Sequence, residues 1–159
     1  MKESFIYKTA VDSQHFNDAK HLFKEYALSL DISLDFQHFN EELDIVESMY
    51  GAPTGILYIV YYQEKAVACA ALRKIGEGIC EVKRMYVQTS FRRFKIGDTL
   101  IDLLVTKATN MGYSLMRLDT LDSMTPAISL YKKHGFYEIE AYYFNPNKNT
   151  VYMEKKLLD

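Results

Sequence analysis

The stretch EVKRMYVQTSFRRFKIGDTLIDLLV, residues 81–105, decides the fold. Its first seven residues, Glu81 to Val87, belong to a run rich in β-branched and aromatic side chains that reads as a strand. From Ile96 onward, Leu100, Leu104, Ala108 and Met111 continue a stripe at helical spacing, and Gly112 suits the position just past a helix end. Between strand and helix stand Arg92, Arg93 and Lys95. About four backbone N–H groups at such a helix start lack intrahelical partners, so the turn is a ready anion site. The three cations oppose the positive end of the helix dipole, at up to about 1 kcal/mol each unless an anion sits among them. A solvated basic loop capped by Asp98 accounts for the same residues.

Working outward, Asp12 is an N-cap candidate, and Phe16, Ala19, Leu22, Phe23, Tyr26, Ala27 and Leu30 recur as a helix face. Phe36, Phe39, Leu43, Val46 and Tyr50 repeat that rhythm until Gly51 and Pro53 stop it, which predicts a second helix. GILYIVYY, VACAALRKI and EGICEVKRMYV are strand-like runs parted by QEK and by Gly76-Glu77-Gly78, the pattern of an antiparallel meander. YSLMRLDTL predicts a further strand. Thr125 and Pro126 then supply an N-cap and a first-turn proline for a short helix closed by Gly135. GFYEIEAYYF, the turn NPNKN and TVYMEKKL predict a final hairpin. The order is one strand, two helices, three strands, helix, strand, helix, two strands. It fits an α/β (α+β) fold, a mixed, mostly antiparallel sheet of about seven strands flanked by about four helices. With no repeat, linker or low-complexity tract, residues 1–159 are expected to form a single domain.

Composition narrows the function classes. Nineteen basic against twenty-one acidic side chains give a net charge of -2, so no nucleic-acid or anionic-lipid partner is expected. The segment MKESFIYKTAVDSQ lacks the apolar centre of a signal peptide, and no run approaches the roughly 18 residues that span a bilayer. A cytoplasmic location is the expectation. Cys69 and Cys80 lack C-x-x-C spacing and read as reduced core residues. His38 and Glu42 share a helix face, but the four histidines lack metal-site spacing, so no metal is expected.

The opening stretch resembles the acyl-CoA-binding core of the GNAT superfamily, the acetyl-CoA-dependent N-acyltransferases. In that family an apolar-x-Val strand end leads into an R/Q-x-x-G-x-G/A loop and a helix. The segment AISLYKKHGFYEI, residues 127–139, is similar to the A-x-x-L-Y-x-x-x-G-F segment that closes the same site. Together the motifs cover residues 81 to 137. Aligning Arg92 with the first loop residue puts Gly97 on the last glycine and Lys95 where the central glycine is expected. Glycine there allows positive φ or close approach to a pyrophosphate. Lys95 keeps its own N–H for that task if its φ is negative, and its ammonium can pair with a phosphate.

The resemblance implies an N-acetyltransferase with acetyl-CoA as co-substrate and no metal. Backbone N–H groups near Met85 and Val87, on either side of Tyr86, would hold the pantetheine and polarise the thioester carbonyl as an oxyanion hole. The amides of Arg93, Phe94, Lys95, Ile96, Gly97 and Asp98, with Thr99 following, would cradle the pyrophosphate, and Arg92 or Arg93 would pair its charge. Tyr131, at the tyrosine of the second motif, would donate to the departing thiolate; complete proton transfer from a phenol to a thiol is uphill by about 2 kcal/mol. By spacing alone Tyr131, one of 13 tyrosines, reads as core packing.

An alkyl ammonium must lose a proton before it attacks, a handicap of about 4 to 5 kcal/mol at neutral pH. Strand alternation puts Glu81 on one face with Lys83 and Met85, which makes it the general-base candidate; pairing with Lys83 or Arg84 is the alternative. The expected acceptor is a primary amine of a small molecule, with residues from Leu30 to Tyr50 shaping its pocket. A peptide or protein amine is the enzymatic alternative, and a catalytically silent CoA-binding or interaction module the non-enzymatic one. Tyr142, Tyr143, Phe144 and Tyr152 wall an acceptor pocket or pack a homodimer, an assembly common in the resembled family.

Overall fold

The computed structural model describes residues 4–30 and 38–157. The chain runs β1 (Ile6–Thr9), α1 (Ser13–Ser29), α2 (Phe39–Asp44), α3 (Val46–Met49), β2 (Ile56–Tyr62), β3 (Lys65–Gly76) and β4 (Ile79–Val87). A 3-10 turn (Thr89–Phe94) leads into α4 (Ile96–Asn110), followed by β5 (Leu115–Leu121), α5 (Thr125–Lys133), β6 (Tyr137–Ile139) and β7 (Thr150–Lys156). One seven-stranded sheet, in the order β1-β2-β3-β4-β5-β7-β6, holds all the strands among the described residues. Every neighbouring pair is antiparallel except β4 with β5.

Both faces of the sheet are covered, so its central strands are buried on two sides. In β2, Ile56, Tyr58 and Val60 turn toward α4, while Leu57, Ile59 and Tyr61 turn toward α1. The α4 stripe of Ile96, Leu100, Ile101, Leu104 and Ala108 is buried, and α1 contributes Phe16, Ala19, Leu22 and Phe23 to the other core. Each fully buried Leu is worth about 1.5–3 kcal/mol of transfer free energy. Asp12 caps α1 through the His15 amide at 2.9 Å, as its position before the stripe predicts.

Four local expectations change. The predicted second helix is broken at Ile45 (φ -125°), so that the Glu42 side chain and the Val46 and Tyr50 side chains are all buried; Phe36 lies outside the described residues. Among the described residues six helical segments stand where about four were expected, because that break and the 3-10 turn each add one. Thr125 is the first residue of α5 rather than its cap, which is Met124. The last hairpin is shorter than GFYEIEAYYF suggests: β6 ends at Ile139, and the chain leaves the sheet because Tyr142 and Tyr143 turn their hydroxyls onto Glu81 and Asp119.

Candidate active site

The parallel pairing of β4 with β5 lasts for only three residue pairs and ends at Glu81 and Arg117. Past that point β5 stays on β7 while β4 stays on β3, so the two strands part. A cleft of about 480 Å³ opens between them, lined by Met85, Tyr86 and Val87 of β4, Leu118 and Asp119 of β5, and residues of α4, α5 and the end of α1. The crevice at the carboxyl ends of diverging parallel strands is where open α/β sheets take ligands.

A bulge aims the β4 backbone. Two steps along β3, from Cys69 to Ala71, match three along β4, from Tyr86 back to Lys83, and the extra residue, Arg84, has φ 55°. Gln88 N–H donates to Val67 C=O at 2.9 Å, so by antiparallel alternation Tyr86 also addresses β3. The N–H groups of Met85 and Val87 therefore turn toward the cleft. Arg84 itself is buried and bonds the Glu42 carboxylate, which ties α2 to the bulge.

The helix start behaves differently from the simple anion loop. No side chain caps α4, and its first intrahelical donor is Thr99 N–H to Lys95 C=O at 3.2 Å, leaving the Ile96, Gly97 and Asp98 amides outside the helical ladder. Lys95 takes the left-handed conformation, φ 58° and ψ 30°, so the premise of a negative φ is corrected. Lysine here adopts the backbone that glycine would adopt freely, at a cost of about 1–2 kcal/mol. A Cβ on Gly97 would meet Leu130 Cδ2 at 2.9 Å, which is why α4 and α5 approach so closely there.

Side chains sort into those that face the cleft and those that do not. Arg92, Lys95, Gly97 and Asp98 line it. Arg92 Nε is bonded to Val87 C=O at 3.0 Å. Arg93 instead lies over the Phe94 ring at 4.4 Å and donates to Ser90 C=O. Phe94 packs on Phe5, Ile96 is core, and Thr99 returns its hydroxyl to Lys95 C=O, so none of these three lines the cleft. Asp98 is not a helix cap. Lys133 Nζ at 2.7 Å and His134 Nε2 at 2.9 Å hold its carboxylate toward α5, and the Lys133 bond, then the His134 bond, keep it below its ordinary pKa.

Tyr131 lines the cleft from α5, packed edge-on against Phe136, and burial raises its pKa. Among the described residues nothing bonds its hydroxyl. Asp119 is a site residue that sequence reading did not single out. It lines the cleft, accepts from the Tyr143 hydroxyl at 2.9 Å through one oxygen, and has its pKa raised by burial against the opposing pull of Lys83. Its signal was a short acidic side chain inside YSLMRLDTL, where strands disfavour aspartate.

Glu81 is placed elsewhere. The bulge at Arg84 resets the alternation, so Cys80 and Val82 share the α4 face with Met85 and Val87, and Glu81 lies on the face opposite Met85. The expected Glu81–Lys83–Met85 face is corrected accordingly. Glu81 is 1% exposed, accepts from Arg73 Nε at 2.9 Å and from the Tyr142 hydroxyl at 2.6 Å, and lines a second cavity of about 420 Å³. Its partner is Arg73 rather than Lys83 or Arg84. Tyr143 belongs to the wall of that second cavity, and its bond to Asp119 joins the two spaces.

Among the described residues no group of three or more His, Cys, Asp or Glu is placed to hold a metal, and no helix is long and apolar enough to cross a membrane.

Comparison with known proteins agrees with this geometry. Residues 17–136 match the acetyltransferase (GNAT) family. The chain is 39% identical to an uncharacterized N-acetyltransferase of Schizosaccharomyces pombe, over 99% of this chain and 98% of that one. In fold it is similar to a GNAT acetyltransferase of Staphylococcus aureus, with a TM-score of 0.81, 18% identity, and coverage of 98% of this chain and 100% of that one. It is also similar to the PaiA N-acetyltransferase of Thermoplasma acidophilum, a structure in complex with coenzyme A, with a TM-score of 0.74, 18% identity and coverage of 96% and 99%.

Proposed function

Since the chain belongs to the acetyltransferase (GNAT) family, whose members move an acetyl group from acetyl-CoA, we propose that its acceptor is a primary amine of a small molecule, acetylated by direct attack in a ternary complex. The observation that carries the acceptor class is the cluster of three tyrosines beside Asp119, of which Tyr142 and Tyr143 wall the second cavity. Tyr142, Tyr143 and Tyr152 contact one another with ring centroids 5.3 to 5.5 Å apart, and their hydroxyls are bonded to Glu81, Asp119 and Tyr143 C=O. Such a wall bounds a pocket instead of leaving the open groove an extended peptide needs.

On this reading the Met85 and Val87 amides hold the pantetheine arm and the thioester oxygen. The Ile96, Gly97 and Asp98 amides, with Arg92 and the Lys95 ammonium, take the pyrophosphate, the Asp98 carboxylate being drawn aside by Lys133 and His134. Asp119 takes one proton from the acceptor ammonium through its unbonded oxygen. The amine lone pair then forms the C–N bond, the C–S bond breaks with its electron pair on sulfur, and the Tyr131 hydroxyl donates a hydrogen bond to the departing thiolate. The remaining ammonium proton leaves to that sulfur or to water. Glu81, fixed between Arg73 and Tyr142, orients the aromatic wall; its part as base is the competing arrangement. The test is release of free thiol from acetyl-CoA on addition of small primary amines, compared with peptides bearing free N-termini. Turnover with peptides alone removes the small-molecule reading.

A further inference from the structure

The second cavity carries charge that the transfer chemistry does not use. Arg73, Lys74 and Arg117 line it against a single carboxylate, Glu81. Each arginine is anchored through Nε only: Arg73 to Glu81 at 2.9 Å, and Arg117 to Glu154 at 2.8 Å. The Tyr137 hydroxyl, at 2.7 Å, holds Glu154 in turn. Arg117 also lies over the Tyr142 ring, 5.3 Å from its centroid. Among the described residues no acceptor bonds the Nη groups of either guanidinium. Among the described residues Lys74 has only a distant partner, the exposed Glu77 at 3.7 Å.

Two planar cations are thus held rigidly at one nitrogen with their forked ends unbonded inside one cavity. That is the geometry with which guanidinium groups grip a carboxylate in bidentate fashion. Position adds the second half of the argument. Arg117 and Asp119 are two residues apart on β5 and face the same side, about 6 to 7 Å apart along the strand. Tyr143 links the two spaces, since it lines the cationic cavity and donates to Asp119.

We infer that this cavity is the acid-binding half of the acceptor site, and that the acceptor is an amino acid whose amine lies several bonds from its carboxylate. The inference rests on the amine-acetylation reading above. Arg73 and Arg117 hold the carboxylate, and the amine reaches the cleft at Asp119. The net positive wall rejects diamines, since a second ammonium would meet Arg73, Lys74 and Arg117.

The experiment uses ω-amino acids of three to six carbons, their methyl esters and the diamines of equal length as acceptors, with thiol release as the rate. Acetyl-CoA binding is measured separately by calorimetry. The expected result is that kcat/KM for the best amino acid exceeds that for its ester by about tenfold or more, and that Arg117→Gln and Arg73→Gln each erase the preference by raising KM for the acid and not for the ester. Arg73→Gln, whose partner is also held by Tyr142, guards against a folding defect in Arg117→Gln. Equal or better use of esters or diamines overturns the inference. So does normal acetyl-CoA binding with neither turnover nor calorimetric binding of any ω-amino acid. Failure to bind acetyl-CoA overturns the parent reading instead.

Discussion

Arg84 donates two hydrogen bonds to the Glu42 carboxylate, 2.9 Å from Nε and 2.7 Å from Nη2, and both side chains are almost wholly buried. The pair joins the short helix α2 to the extra residue of the β4 bulge. That bulge turns the Met85 and Val87 amides to the cleft, so the pair supports the site from beneath.

Removing the Glu42 carboxylate takes two acceptors from a buried guanidinium. Glu42→Ala is expected to destabilise the fold by about 3 kcal/mol, read as a lower urea midpoint with an unchanged m-value. A midpoint within experimental error of the parent would show that the pair does not brace β4.

Lys95 separates strain from charge. Lys95→Gly relieves the left-handed backbone and Lys95→Ala keeps it, so the glycine variant should be the more stable of the two by about 1 kcal/mol. Both lose the ammonium, and both should lose acetyl-CoA affinity to the same extent. Equal stability would mean that the backbone relaxes; unequal affinity would mean that the loop conformation, and not the charge, holds the phosphates.

Asp119 predicts opposite effects on rate and stability. Asp119→Asn should lower kcat/KM by about a hundred- to ten-thousandfold. The parent rate should fall on acidification with an apparent pKa above the ordinary 3.8, because burial raises this carboxyl. A folded-state pKa raised in this way stabilises the protein below the unfolded value and loses that contribution as pH rises through the folded one. At neutral pH the ionised carboxylate is therefore a cost. Asp119→Asn should be the more stable protein there, with the difference shrinking toward pH 3.8. Glu81→Gln is the control: if it flattens the acid limb and Asp119→Asn does not, Glu81 is the proton acceptor.

Tyr131→Phe deletes a hydroxyl with no partner among the described residues. The melting temperature and acetyl-CoA affinity should hold. The rate should fall by about ten- to a hundredfold, the worth of a hydrogen bond to a charged leaving group. An unchanged rate would leave Tyr131 as packing against Phe136.

What the sequence reveals follows from the range of the interactions. The stripe from Ile96 to Met111 and the meander of β2, β3 and β4 are local patterns, and they appear as read. The bulge is not local. Nothing in EVKRMYV says that Arg84 is the extra residue; that depends on Glu42, 42 positions earlier, and on the β3 register. Strict alternation puts Glu81 and Met85 on one face, and only the bulge separates them. Asp119 was legible only as an oddity in a strand, since its role depends on where β4 leaves β5. Arg93 and Lys95 are equivalent cations in FRRFK, but Arg93, inside the 3-10 turn, lies over Phe94 and bonds Ser90 C=O, while Lys95, the left-handed residue after the turn, lines the cleft.

Calorimetric titration with acetyl-CoA and with pantetheine, on the parent and on Lys95→Glu, addresses the cleft between β4 and β5 and the start of α4 together. Micromolar binding of acetyl-CoA, weakened by about tenfold or more in Lys95→Glu and nearly absent for pantetheine, is the expected result. No binding of acetyl-CoA, or binding indifferent to the phosphates and to Lys95→Glu, would contradict the assignment of this cleft.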